Sequence, residues 1–146
     1  MRLSKVRDYL KQQIRLEDTS AIEWPDAFNT ENIPRNLGDK SFHIAYSAPS
    51  ITRGQRSVDY NVVAICEFFF KGQRNTQTQL DDAMDKINRI GLNCSSTTAV
   101  SLYRDTDNFP IQNCNIISQV PTPLENNDNA LIITIELEML ITFSNC

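Results

Sequence analysis

Glu136 and Glu138 are the residues of this chain whose type and spacing come nearest to chemistry. Two apart on an extended segment, they share one face with side chains roughly 7 Å apart, and paired carboxylates can do general acid–base work. They lack the company such work needs: a neighbouring histidine, a metal partner or a glycine-rich loop. The single histidine, His43, has no cysteine or carboxylate at ligand spacing beside it and reads as a strand residue with a satisfied ring. Asp81, Asp82 and Asp85 are more simply solvated charges near a helix N-terminus than an acidic site. Cys66, Cys94, Cys114 and Cys146 sit far apart without a C-x-x-C pair, a poor spacing for zinc. The four glycines form no G-x-S-x-G, P-loop or G-x-G-x-x-G. A small enzyme or ligand-binding domain using Glu136 and Glu138 is therefore the remote alternative. No catalytic residue, cofactor or metal is assigned.

The elements that carry these residues are long. From Leu131 to Phe143 every odd position is apolar, while Thr134, Glu136, Glu138 and Thr142 occupy even ones, with Ile132 and Leu140 as exceptions. A period of two marks a half-buried strand. At roughly 3.3 Å per residue it spans about 43 Å, against a usual strand of about 5–6 residues. Part of it is expected to pack on something outside its own core. Val58 to Lys71 reads as a second long strand, with Val58, Tyr60, Val62, Ala64, Cys66, Phe68 and Phe70 on one face. Val63, Ile65 and Phe69 make much of the other face apolar too, which predicts a central strand covered by helices on at least one side. The Phe68-Phe69-Phe70 run is read as core rather than as an exposed anchor.

Between and around these strands the pattern is mixed. Leu3, Val6, Leu10 and Ile14, with Tyr9 beside them, predict an N-terminal helix that Ser4 can cap. An irregular stretch follows from about Glu17 to Lys40. Phe42, Ile44 and Tyr46 mark a first strand, and Ala48 to Ser57 a loop. A helix is predicted from about Thr76 to Ile90: Thr76 or Thr78 caps it, Asp81 and Asp82 sit early, Lys86 and Arg89 sit late, and Gly91 ends it. A further strand is placed over Ala99 to Arg104 and a short one near Asn115 to Val120. Pro121, Pro123 and the run Glu125 to Asn129 are assigned to a turn region. The expected fold is α+β: one domain over 1–146, with a mostly antiparallel or mixed sheet of about four long strands and two helices on one face.

Bulk properties bound the function. At 146 residues the chain can bury about two-thirds of its unfolded surface without metal or disulfide. A net charge of −4 argues against general nucleic-acid binding. The start, MRLSKVRDYLKQQI, has no apolar h-region, and VVAIC and LIITI are too short to span a bilayer, so no membrane partner is expected. Free thiols and a reducing cytosol are the expectation. Two features keep a functional reading. Thr52, Arg53, Gly54, Gln55 and Arg56 form a basic tip between two long strands, either a solvated turn or a projection that docks on an acidic neighbour. The stretch 17–40, with Trp24, Phe28 and Ile33, has the length of a segment that packs along a neighbouring subunit.

The segment Asn32-Ile33-Pro34, then Asp39-Lys40-Ser41-Phe42-His43-Ile44, resembles the region leading into the first strand of the tail terminator (tail completion) proteins of long-tailed bacteriophages. The order of elements is similar to that family over nearly the whole chain. The resemblance implies a structural virion protein of the tail or neck, assembled in the host bacterial cytoplasm. It implies a ring of identical subunits, commonly a hexamer, that ends tail-tube polymerisation and offers a surface to the head–tail connector. The partners implied are the chain itself, the tail tube protein and the connector protein, with no cofactor and no enzyme activity. By position, residues 50–57 correspond to a tube-facing hairpin tip and 17–40 to a subunit boundary. A head–tail connector or stopper is the alternative reading. A ring needs a head-to-tail contact that closes, and a terminator needs blunted sheet edges.

Overall fold

Two strands of 14 residues form the spine of the molecule. Ser57–Phe70 (β4) and Leu131–Ser144 (β6) pair antiparallel in unbroken register, from Ser57 opposite Ser144 to Phe70 opposite Leu131. The computed structural model describes residues 3–28, 38–47, 50–53, 57–71, 77–96, 100, 111–124 and 130–144. Around the spine stand Leu3–Glu17 (α1), Ile22–Glu23 (β1), Ser41–Tyr46 (β2), Ser50–Arg53 (β3), Gln77–Ser95 (α2) and Ile111–Pro123 (β5). The sheet has six strands in the order β1-β2-β4-β6-β5, with β3 also paired to β4. Only β1 and β2 run parallel; the other pairs are antiparallel.

Alternation along the strands decides what is buried. Val62, Ala64, Cys66, Phe68 and Phe70 of β4 join Ile133, Ile135, Leu137, Met139 and Ile141 of β6 in the main core. Phe42 and Ile44 of β2 add to it, opposite Phe68 and Cys66. Val6, Tyr9, Leu10 and Ile14 of α1 and Ala83, Ile87 and Ile90 of α2 close it from above. Both helices thus lie on one sheet face, where the period of 3.6 meets the period of two. The fold is α+β, with six strands where four were expected.

Ion pairs and side-chain hydrogen bonds fasten this layer. Asp18, just past α1, is 9 % exposed; it pairs with Lys86 of α2 and, at 3.8 Å, with Lys40. Ser20 donates to the same carboxylate from its backbone N–H (3.1 Å) and its hydroxyl (2.6 Å). Burial alone raises the Asp18 pKa; the Lys86 ammonium and the Ser20 donors outweigh it and hold the group at about 2. Tyr9 of α1 donates its hydroxyl to the Cys94 carbonyl, satisfying an acceptor in the last turn of α2.

Four sequence expectations change. The loop over 48–57 contains a strand: Ser50–Arg53 pairs with Val58 to Asn61 of β4, end to end with β2. Ser47 carries the ladder between them, its N–H donating to the Val63 carbonyl and its hydroxyl accepting from the Val63 N–H. Gly91 does not end α2, which continues one turn to Ser95. A Cβ at Gly91 would stand 2.8 Å from Cδ1 of Ile116, so this glycine lets helix and β5 approach closely. Lys86 and Arg89 are therefore mid-helix, and their role is to pair with Asp18 and Glu17. The short strand near Asn115 to Val120 is part of a 13-residue edge strand that includes Pro121 and Pro123. Proline is tolerated there because an edge strand needs no donor on its outer side. Register shifts at Ile111/Asn113 and Ile116/Ser118 break its alternation. The strand expected over Ala99 to Arg104 lies outside the described residues except Val100, whose N–H donates to the Ser96 carbonyl as in a helical turn. Ser4 and Thr76 as caps lie outside the described side chains.

Candidate protein interface

The second face of the sheet carries Ala45 of β2, Val63, Ile65 and Glu67 of β4, and Thr134, Glu136, Glu138 and Leu140 of β6. No helix among the described elements covers it. Ile65 stands opposite Glu136, Val63 opposite Glu138, and Glu67 opposite Thr134. Ser118 and Asn115 of β5 extend the row beyond Glu136 and Glu138, and Val120, 52 % exposed, lies beside Thr134. Val63, Ile65, Leu140 and Glu136 are half-buried and Glu138 is exposed. Among the described residues none of the three glutamates forms an ion pair. The result is a shallow surface of branched aliphatics set among unneutralised carboxylates.

One end of this face is closed by the chain itself. Phe28, Phe69, Leu124, Ala130 and Ile132 form a second, small core, with Trp24 packed against it. Phe28 meets Phe69 edge-on at 6.3 Å between ring centroids and lies 6.4 Å from the His43 ring. His43 Nδ1 is 3.0 Å from the Trp24 carbonyl, so Nδ1 carries the proton and donates. That hydrogen bond pins segment 24–28 to β2; His43 is a satisfied strand residue.

Two stretches of the sheet edge are blunted, at β2 and at β5. Beyond the short β1, the outer side of β2 receives Arg7 of α1, whose guanidinium donates to the Ile44 carbonyl at 3.3 Å. Arg7 also lies 5.7 Å from the centroid of the Tyr46 ring and pairs with Glu23, which Lys11 holds at 2.9 Å. Burial pushes the Tyr46 phenol up to about 12 despite the adjacent Arg7. At the opposite edge, β5 has two bulges and two prolines. These are the devices by which sheets avoid pairing edge to edge.

The residues expected to matter fall in different places. Thr52 is exposed on β3, and Arg53 ends that strand; Gly54, Gln55 and Arg56 lie outside the described residues. Ile51, beside Thr52, is 54 % exposed. Phe28 is 8 % exposed and its packing is accounted for within the subunit; Trp24 is half-buried, and Ile33 lies outside the described residues. Glu136 and Glu138 share the open face as predicted. Glu67, which sequence reasoning passed over, joins them through the β4–β6 register, and no signal in the β4 segment alone singles it out. Cys66, Cys94 and Cys114 are free and buried in the main core. Burial pushes Cys66 and Cys114 up to about 12 and Cys94 well above its ordinary value, so these thiols stay protonated. Among the described residues no group of three His, Cys, Asp or Glu side chains is arranged to hold a metal, and no helix is long and apolar enough to cross a membrane.

No family model and no curated protein matches this chain. Among solved structures, a chain from the virion of a native gene transfer agent particle is similar over 92 % of both chains, at 7 % sequence identity and a TM-score of 0.47.

Proposed function

We propose that this chain is a structural subunit of a phage-like virion, a tail terminator that assembles as a ring, commonly a hexamer, on the last ring of the tail tube. In that role it stops tube growth, offers a surface to the head–tail connector, and is not an enzyme. The observation that carries the reading is the second sheet face, where half-buried aliphatic and acidic side chains are covered by no helix among the described residues, beside a hairpin built from β2, β3 and β4. A subunit that leaves one face of its central strands without a helix cover among the described residues, while blunting the edges at β2 and β5, suits completion by a partner. The resemblance of residues 32–44 and the order of elements point the partner towards tail assembly. Glu136 and Glu138 then serve contact rather than proton transfer.

Light scattering of the purified protein, alone and with tail-tube subunits, tests this. Rings or tube-capping complexes are expected, and a strict monomer under both conditions overturns the reading. Co-purification separates it from a connector or stopper: capture with tube subunits is expected, and capture with portal complexes alone assigns the neck position instead. Replacing Arg53 and Arg56 by Glu is expected to weaken tube attachment with thermal stability within about 0.5 kcal/mol of wild type.

A further inference from the structure

We propose that the outer surface of the helix layer is a self-pairing site, where the exposed stripe of α2 from a second copy of this chain seats in a groove along α1. The inference is separate from the sheet-face reading of the proposed function and goes beyond it. Leu16 and Leu92 are the most exposed large hydrophobic side chains among the described residues, at 67 % and 63 %. Helical spacing places Asp81, Asp85, Asn88 and Leu92 on one stripe of α2, opposite the buried Ala83, Ile87, Ile90 and Cys94. Rows of this kind are the ridges that seat in the groove of a neighbouring helix. The groove is on α1, where Asp8, Lys11, Gln12, Arg15 and Leu16 border a shallow hollow of about 450 Å³. Charge favours the match: the stripe carries two carboxylates and no cation, whereas the groove sets Lys11 and Arg15 against Asp8. Lys11 is held by Glu23, and Asp81 accepts from Gln77. Among the described residues Arg15 and Asp85 form no ion pair.

Geometry excludes the chain's own groove and makes the pairing two-fold. Within one subunit α1 and α2 already meet through other sides: Tyr9 with the Cys94 carbonyl, Glu17 with Arg89, and Asp18 with Lys86. The same partners show that the helices run antiparallel, so Gln12, in the middle of the groove, lies roughly level with Leu92. Groove and stripe therefore stand side by side on one surface, both turned away from the sheet. A two-fold axis along the helices sets each α2 over the other copy's α1, and both halves of the contact form at once. Leu92 then enters the other copy's groove beside Leu16. Asp85 comes within reach of the other copy's Arg15, a charge-assisted pair made twice. Arg89, the cation beside the stripe, stays with Glu17. Such an isologous contact closes at a pair, whether of single subunits or of rings set back to back, and it leaves the second sheet face free.

Assembly mass provides the test. Sedimentation velocity over a concentration series, with and without tail-tube subunits, is run on wild type, Leu92→Lys, Arg15→Glu, Asp85→Lys, and the double variant Arg15→Glu with Asp85→Lys. Wild type is expected to reach twice the mass of Leu92→Lys, which sets a lysine against the cations of the groove. Each single charge reversal is expected to weaken pairing about tenfold, and the double variant to recover most of that loss, because both members of each ion pair are then exchanged. All three positions are exposed helix sites, and melting curves report folding. If Leu92→Lys does not fold, Leu92→Gln replaces it, with a smaller loss expected. Equal masses for wild type and Leu92→Lys overturn the pairing and leave the proposed function standing. Single reversals without recovery in the double variant overturn the two-fold contact as well. Wild type that pairs but never joins tube subunits overturns the proposed function alone, and wild type that stays monomeric under every condition overturns both.

Discussion

Leu137 and Leu140 sit three residues apart on the same strand and live in different environments. Leu137 points to the helix-covered face and is fully buried beside Ile135 and Met139; Leu140 points to the open face and is half-buried. The strand backbone is equally well paired at both positions. What differs is the third dimension: α1 and α2 complete the first environment, while nothing among the described residues completes the second. One face of this sheet is therefore a finished core, and the other is an unfinished one in which carboxylates take the places that helix-facing aliphatics hold opposite. The teaching is that strand pairing and strand burial are separate conditions: the β4–β6 ladder satisfies the first at every residue, while the second differs between its two faces.

The largest effect that can break this contrast is truncation of the two leucines. Leu137→Ala is expected to cost about 3–4 kcal/mol through lost burial and a cavity, and Leu140→Ala about 1 kcal/mol or less in the isolated subunit. Equal losses in urea unfolding would mean the open face is a core already. Next in size is the clamp that holds the helix layer. Because the Asp18 carboxyl titrates at about 2 when folded, against 3.8 as its ordinary value, its contribution is complete above about pH 4 and is lost as pH falls towards 2. A loss on the order of 1–2 kcal/mol is expected over that window, absent in Asp18→Asn. Acid unfolding curves that superimpose for wild type and Asp18→Asn would remove the clamp from the account. The smallest effect concerns the contact of α2 with β5. In Gly91→Ala, the new methyl presses only on the end of the Ile116 side chain, which is partly exposed and can turn aside. The helix gains up to about 1 kcal/mol from the replacement of glycine, so a net change between zero and that gain is expected. A fall in melting temperature would show instead that Ile116 is fixed.

Much of the covered side was legible in the sequence. Leu131 to Phe143 alternates so strictly that face, length and partner burial follow from it, and β6 differs from the expected span by one residue. Tyr9, Leu10 and Ile14 likewise follow from helical spacing. The parts that were not legible depend on a second segment. Ser50–Arg53 has a single apolar residue and becomes a strand because β4 offers its backbone edge. Gly91 signals a stop in isolation, and only the nearness of Ile116 explains why the helix continues. Ile116 and Ile117 are adjacent apolar residues because a bulge lies between them, which hides the period of two. On the candidate interface, Glu136 and Glu138 could be placed on one face directly, whereas the third carboxylate needed the pairing of Glu67 with Thr134.

The unbroken ladder between β4 and β6 also has a kinetic consequence. The nearest residues it joins, Phe70 and Leu131, are 61 positions apart, while Arg53 and Val58 of the hairpin are five apart. Closing the larger loop costs about 2 kcal/mol more in chain entropy than closing a turn of a few residues. The hairpin can therefore form on its own within microseconds, while the central clasp waits for a distant segment to arrive. Until then the β6 side of β4 lacks its partner, and the contacts of Ile133, Ile135 and Leu137 with Ala64, Cys66 and Phe68 are among the last that the chain's own connectivity allows.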